Sequence, residues 1–82
     1  MLYVIKEHTC SPFDVSLSPD DRNKGLLGYL TDIDLNNLNF RVTTNPYVAT
    51  RLGMFEASLL ISKLNKLNLR FYEIEEYENY GG

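Results

Sequence analysis

The chain has 82 residues, of which 44% are hydrophobic and 23% charged, so it can form one folded domain and is not globally disordered. The net charge of −3 is unevenly distributed, because residues 1–70 carry +1 and four glutamates put −4 into the last twelve residues. An acidic end repels phosphate and attracts basic surfaces, which disfavours nucleic acid as a partner and favours a protein with a basic surface.

The sequence also predicts where the protein works. No apolar run approaches the roughly 20 residues that a membrane span needs, and the N-terminus lacks the basic and apolar stretches of a secretion signal. Cys10 is the only cysteine, so no internal disulfide can form. We therefore expect no membrane association and a reducing cytoplasm.

The first half of the chain predicts three strands. Residues 2–7, LYVIKE, are β-branched and aromatic and favour a first strand. Residues 8–25 carry the prolines, aspartates and glycine of an irregular loop, with SPDDRNKG as its exposed turn. Residues 26–31 and 38–44 then predict a hairpin, which the polar DIDLNN connects.

The second half predicts a turn, a helix and a last strand. Asn45 followed by Pro46 is typical of a helix start or a turn. Apolar residues then recur with helical spacing, which predicts an amphipathic helix over about 54–67. The residues with this spacing are Ala57, Leu60, Ile61, Leu64 and Leu67. LRFYEIEEY follows directly as the last strand, and we expect residues 78–82 to form a flexible tail.

These elements predict the fold class. We expect a single α+β domain over residues 1–82, in the order β-loop-β-β-α-β. The simplest packing is a small two-layer sandwich, in which one helix covers a three- or four-stranded, mostly antiparallel sheet.

The predicted fold leaves apolar side chains without cover. Phe55 and Leu59 fall on the side of the helix opposite its apolar stripe, and the first and last strands are apolar on both faces. Burial of each such side chain would contribute about 1.5–3 kcal/mol, so we expect something to cover them. One predicted cover is the loop 8–25, through Phe13, Val15 and Leu17, and the other is a second copy or a partner protein.

The last strand predicts a protein-binding surface. Alternation turns Tyr72 and Ile74 towards the helix and leaves an aromatic and acidic strip on the outside. The predicted contact residues are Phe71, Glu73, Glu75, Tyr77 and Glu78, with Phe55 and Leu59 as a second patch or the seam of a homodimer. Aromatic anchors rimmed by carboxylates suit a basic protein surface. The alternative is a solvated edge strand whose glutamates prevent aggregation.

No catalytic, cofactor or metal site is predicted. His8 and Cys10 supply two of the four ligands that structural zinc needs, and they lack the oriented base and oxyanion site of a thiol enzyme. Residues 32–36 match the D-x-D-x-N opening of a calcium loop, but the glycine and glutamate required at its sixth and twelfth positions are absent. We therefore expect a non-enzymatic protein without a cofactor, and we interpret DIDLNN as a hairpin connection.

Two alternative functions remain open. Gly81 and Gly82, with the strand-like MLYVIK start and a similar length, resemble ubiquitin-like sulfur carriers and modifiers, whose C-terminal glycine is activated as an acyl-adenylate. In those proteins the helix follows the first hairpin, whereas here it comes late. A platform for single-stranded nucleic acid is the other alternative, formed by Lys63, Lys66 and Arg70 with Phe71 and Tyr72.

A helix that opens with Glu-Ala and runs straight into an aromatic, glutamate-rich strand occupies residues 56–77, EASLLISKLNKLNLRFYEIEEY. This segment resembles the closing half of small bacteriophage accessory proteins. The resemblance implies a host-directed role, such as binding and inhibiting a bacterial defence or regulatory protein, and it transfers no catalytic residues. The leading prediction is therefore an inhibitor or modulator that acts by occluding the surface of a protein target.

Overall fold

A computed structural model describes residues 1–11, 13–67 and 70–77. The strands are β1 (Tyr3–His8), β2 (Leu26–Asp34), β3 (Asn39–Thr43) and β4 (Phe71–Glu76), and the helices are α1 (Pro19–Lys24), α2 (Met54–Leu67) and a 3₁₀ turn (Pro46–Val48). The four strands form one antiparallel sheet in the order β3-β2-β1-β4. The predicted α+β class and the order of strands and main helix are confirmed. No described helix is long and apolar enough to span a membrane.

The helix α2 lies on β4 and β1 and closes the core. Its buried residues Ala57, Leu60 and Leu64 pack in one cluster with Ile5 of β1 and Leu30 of β2. The helix spans the predicted residues 54–67. The sheet face that α2 covers is therefore the apolar interior of the molecule.

The hairpin of β2 and β3 is closed by hydrogen bonds to Asp34. Its Oδ1 accepts from the backbone N–H groups of Asn36 and Asn37, at 3.0 and 3.3 Å, and its Oδ2 accepts from Asn37 Nδ2 at 2.7 Å. The side-chain bond from Asn37, with the two backbone bonds, lowers the pKa of Asp34. This turn confirms that DIDLNN connects a hairpin, although β2 runs on to Asp34 rather than ending at residue 31.

The prediction of an irregular loop over residues 8–25 was wrong at two places. His8 is the last residue of β1 and is buried. Near the other end, Ser18 caps α1, because its Oγ accepts from Asp21 N at 3.2 Å and Pro19 occupies the first turn. The same Ser-Pro-Asp-Asp sequence that suggests a turn is thus the start of a short helix.

Candidate protein-interaction surface

The register of β1 against β4 decides which side chains of the last strand face outward. Ile5 pairs with Ile74, and both pack in the core under α2. Side chains alternate along a strand, so the neighbours of Ile5 in β1 and of Ile74 in β4 point to the other face. We call this other face, opposite α2, the distal face. In these two strands it carries Val4, Lys6, His8, Phe71, Glu73 and Glu75. The sequence alternation predicted this orientation for the three β4 residues.

One lysine on the distal face lies against two glutamates. Lys6 Nζ lies 2.5 Å from Glu75 Oε2 and 3.6 Å from Glu73 Oε1, and the side chains of both glutamates are 24% exposed. Burial lowers the pKa of Lys6, but the hydrogen bond and charge of Glu75, with the charge of Glu73, raise that pKa overall. Both predicted contact glutamates are therefore engaged within the chain, by a partner that the sequence reasoning missed.

The imidazole of His8 is buried beside the same glutamate. Its Nε2 lies 3.4 Å from Glu73 Oε1, and neither ring nitrogen makes a hydrogen bond to a described residue. Burial lowers the pKa of His8, and the neighbouring carboxylate of Glu73 only partly opposes this effect. The ring is therefore neutral at pH 7.

The lowered pKa of His8 predicts that stability falls in mild acid. Below the unfolded-state pKa of about 6.5, the unfolded chain binds a proton that the folded chain does not, so the unfolding free energy decreases by about 1.4 kcal/mol for each unit of pKa difference. Urea unfolding at pH 7.5, 6.0 and 5.0 measures this loss. His8 is the only histidine of the chain. Replacement of His8 by Gln should therefore flatten the profile, and an unchanged slope in that variant would contradict the assignment.

Phe71 and Tyr77 have different surroundings on this surface. Phe71 is 46% exposed at the outer strand of the sheet. Tyr77 is held at the start of β1, because its backbone N donates to Leu2 O at 2.9 Å and its ring lies 4.7 Å from the guanidinium of Arg51. Glu78 lies outside the described residues, as do Gly81 and Gly82, on which the carrier alternative depends.

The second predicted patch lies on the other side of the molecule. Phe55 is 81% exposed and Leu59 is 40% exposed, on the outer side of α2. Since α2 covers the sheet face opposite Phe71, the structure does not bring the two patches together. The loop does not cover them either, because Phe13 and Val15 are themselves 70% and 93% exposed. The prediction that Phe13 and Val15 of this loop provide the cover was therefore wrong.

The aromatic platform for nucleic acid is divided between the two faces of the sheet. Tyr72 points to the side of α2, where its hydroxyl donates to Glu7 Oε2 at 2.9 Å and its ring meets the edge of Phe40. Burial, with the hydrogen bond to Glu7, raises the pKa of Tyr72. Since Phe71 points to the distal face, the two rings cannot stack bases on one surface with Lys63, Lys66 and Arg70.

The remaining candidate residues have separate neighbours. Cys10 Sγ lies 4.0 Å from Arg22 O of α1, whereas His8 lies against β4. Within the part of the chain that the structure describes, no three potential metal ligands cluster and no pocket is found.

Comparisons of the chain with protein-family models, with curated proteins and with solved structures found no match.

Proposed function

We propose that this chain is a non-enzymatic protein-binding module that inhibits or modulates a protein target by covering part of the target's surface. The contact strip comprises Phe71, Glu73 and Glu75, extended by Tyr77 and Glu78. The resemblance of residues 56–77 to bacteriophage accessory proteins supports a defence or regulatory protein in the bacterial cytoplasm as the target.

The exposure of Phe71 is the observation that carries this proposal. An aromatic ring left 46% exposed on an 82-residue chain is apolar area that a partner can bury. The ring adjoins charged groups, because β4 continues from it to Glu73 and Glu75 on the same face. A central aromatic anchor with a charged rim is the usual anatomy of a protein interface.

The charges of the strip support a basic partner. Lys6 brings one positive charge to the two carboxylates of Glu73 and Glu75, and His8 is neutral at pH 7 because burial lowers its pKa. The group therefore carries a net negative charge, to which a lysine or arginine of the partner would be attracted. Such rim charges chiefly increase the rate of encounter and select the partner.

Phe55 and Leu59 form the second patch of the proposal, and the seam of a homodimer is the alternative for them. Specific interfaces bury about 1,200 Å² or more in total. Two side chains supply only a small part of that area, so a dimer would need further residues around them. We propose this pair as a second contact patch, which lies on the other side of the molecule from the strip.

Affinity capture from a bacterial host lysate tests the strip. Replacement of Phe71 by Ser should lower the recovery of the specific partner about tenfold or more, since loss of an aromatic anchor typically costs more than 1.4 kcal/mol of binding. Val15→Ser is the matched control, because Val15 is 93% exposed and lies outside the strip. Quantitative mass spectrometry of proteins recovered with the three baits provides the measurement.

Two further measurements are needed, the folding of the variants and the salt dependence of recovery. Circular dichroism should show that both variants are folded, since each replaces an exposed residue. Recovery should also fall as the salt concentration rises, because the rim is charged. Equal recovery of every bound protein with wild type and Phe71→Ser would contradict the proposed strip.

A further inference from the structure

The outer side of β4 carries a regular row of backbone groups. Tyr77 N donates to Leu2 O at 2.9 Å, so the backbone of residue 77 is directed towards β1. Alternate residues of an antiparallel strand direct their N–H and C=O groups to the same side, so the odd-numbered residues of β4 bond to β1. The even-numbered residues direct theirs away from the sheet. They are Tyr72, Ile74 and Glu76, and we call their backbone groups the outer edge.

The outer edge can accept another strand. β4 is the last strand in the sheet order, and no described residue pairs with its outer side. Backbone donors and acceptors in such a row are a template for strand addition. The side chains of β4 determine which strand can pair there.

Acidic side chains disfavour a second copy at this edge. In a two-fold antiparallel pair of β4 strands, outer-edge residues must face outer-edge residues. Every register centred on residues 73 to 75 then places glutamates opposite each other, as Glu73 with Glu73, Glu73 with Glu75, or Glu75 with Glu75. Like charges directly opposite each other are destabilising. The single Lys6 of each chain already forms ion pairs with two carboxylates, so it cannot neutralise those of a second copy as well.

We propose that the outer edge of β4 is a strand-addition site that takes an extended segment of the partner protein with Lys or Arg at alternate positions. This inference rests on the proposed function and gives its binding mode. The basic side chains of the added strand would lie on the distal face beside Glu73 and Glu75, and the residues between them would lie beside Ile74 on the side of α2. Main-chain hydrogen bonds would supply affinity, and the alternating side chains would supply specificity.

Amide hydrogen exchange tests the mode of binding directly. The probe is a capped heptapeptide of alternating valine and lysine, VKVKVKV. At a peptide concentration ten times the Kd, the amides of Tyr72, Ile74 and Glu76 should exchange about tenfold more slowly, because they exchange from the unbound protein only. The amides of the odd-numbered residues are bonded to β1 in the free protein, so the new protection should appear at every second residue.

A proline on the outer edge separates backbone pairing from side-chain contact. Glu76→Pro removes an outward N–H without removing a bond to β1, whereas Glu76→Ala removes the same carboxylate and keeps the N–H. We expect the proline variant to bind VKVKVKV about tenfold or more weakly than the alanine variant. A peptide that is N-methylated on the amides facing β4 tests the same bonds in the wild-type protein, so the result does not depend on the folding of a variant.

The exchange and binding measurements either support or overturn strand addition. New protection at every second residue, lost with the proline variant or the methylated peptide, supports strand addition. Binding of VKVKVKV without that protection overturns it, and so does equal binding of VEVEVEV or no binding up to about 1 mM. The proposed function fails separately, if Phe71→Ser does not change partner capture.

Discussion

Replacement of Gly28 by alanine should lower the free energy of unfolding by about 3 kcal/mol or more, a large fraction of the stability of a small domain. Gly28 is buried in β2 with a φ of +152°, a backbone conformation that side chains disfavour. A methyl group there would lie 2.5 Å from Thr43 O and 2.8 Å from Val42 Cγ1. The backbone of β3 cannot move away without weakening its pairing with β2. Urea unfolding at pH 7.5 measures the loss.

Gly53 provides the matched control for this substitution. A methyl group at Gly53 would have Glu56 Oε1 as its nearest neighbour, at 3.6 Å, so it has room. The residue precedes α2, and its C=O accepts from Ala57 N at 2.9 Å. Alanine there should change the stability by less than about 1 kcal/mol, because a weaker cap and a less flexible unfolded chain oppose each other. Similar losses for the two variants would show that steric overlap at β3 is not the cause.

The local elements were predictable wherever one pattern dominated the sequence. The helix α2 was predictable because apolar residues recur with helical spacing along it, and three of them, Ala57, Leu60 and Leu64, are buried. The helix α1 was missed because Ser18 and Pro19 begin turns and helices equally well. His8 was misplaced for a related reason: a polar residue at a strand end carries no sign of its burial.

The candidate surface was predictable in orientation but not in its electrostatics. Alternation along β4 correctly turned Phe71 and Glu73 away from the helix, because a strand has a fixed period of two. The contact of Glu73 and Glu75 with Lys6 requires the first strand to pair with the last, and no local pattern specifies that pairing. The exposure of Phe13 could not be predicted either, because the sequence of a loop does not show which of its side chains are buried.

Replacement of Lys6 by methionine should destabilise the fold by about 2–3 kcal/mol. Loss of one partner of a buried ion pair costs about 3–5 kcal/mol, and the 24% exposure of Glu73 and Glu75 reduces this cost through solvent screening. Methionine keeps the length of the aliphatic side chain, so the loss reports on charge rather than on packing. Chemical denaturation at pH 7.5 provides the measurement.

The same variant combined with Glu73→Gln and Glu75→Gln isolates the electrostatic cause. Without Lys6 the two carboxylates repel each other, and neutral amides remove that repulsion. We expect the triple variant to recover most of the stability that Lys6→Met loses. A triple variant no more stable than Lys6→Met would mean that repulsion between Glu73 and Glu75 is not the cause of the loss, and the electrostatic role of Lys6 would be contradicted. The variant Glu73→Gln, Glu75→Gln with Lys6 retained completes the cycle, because it measures the cost of leaving the lysine without its carboxylates.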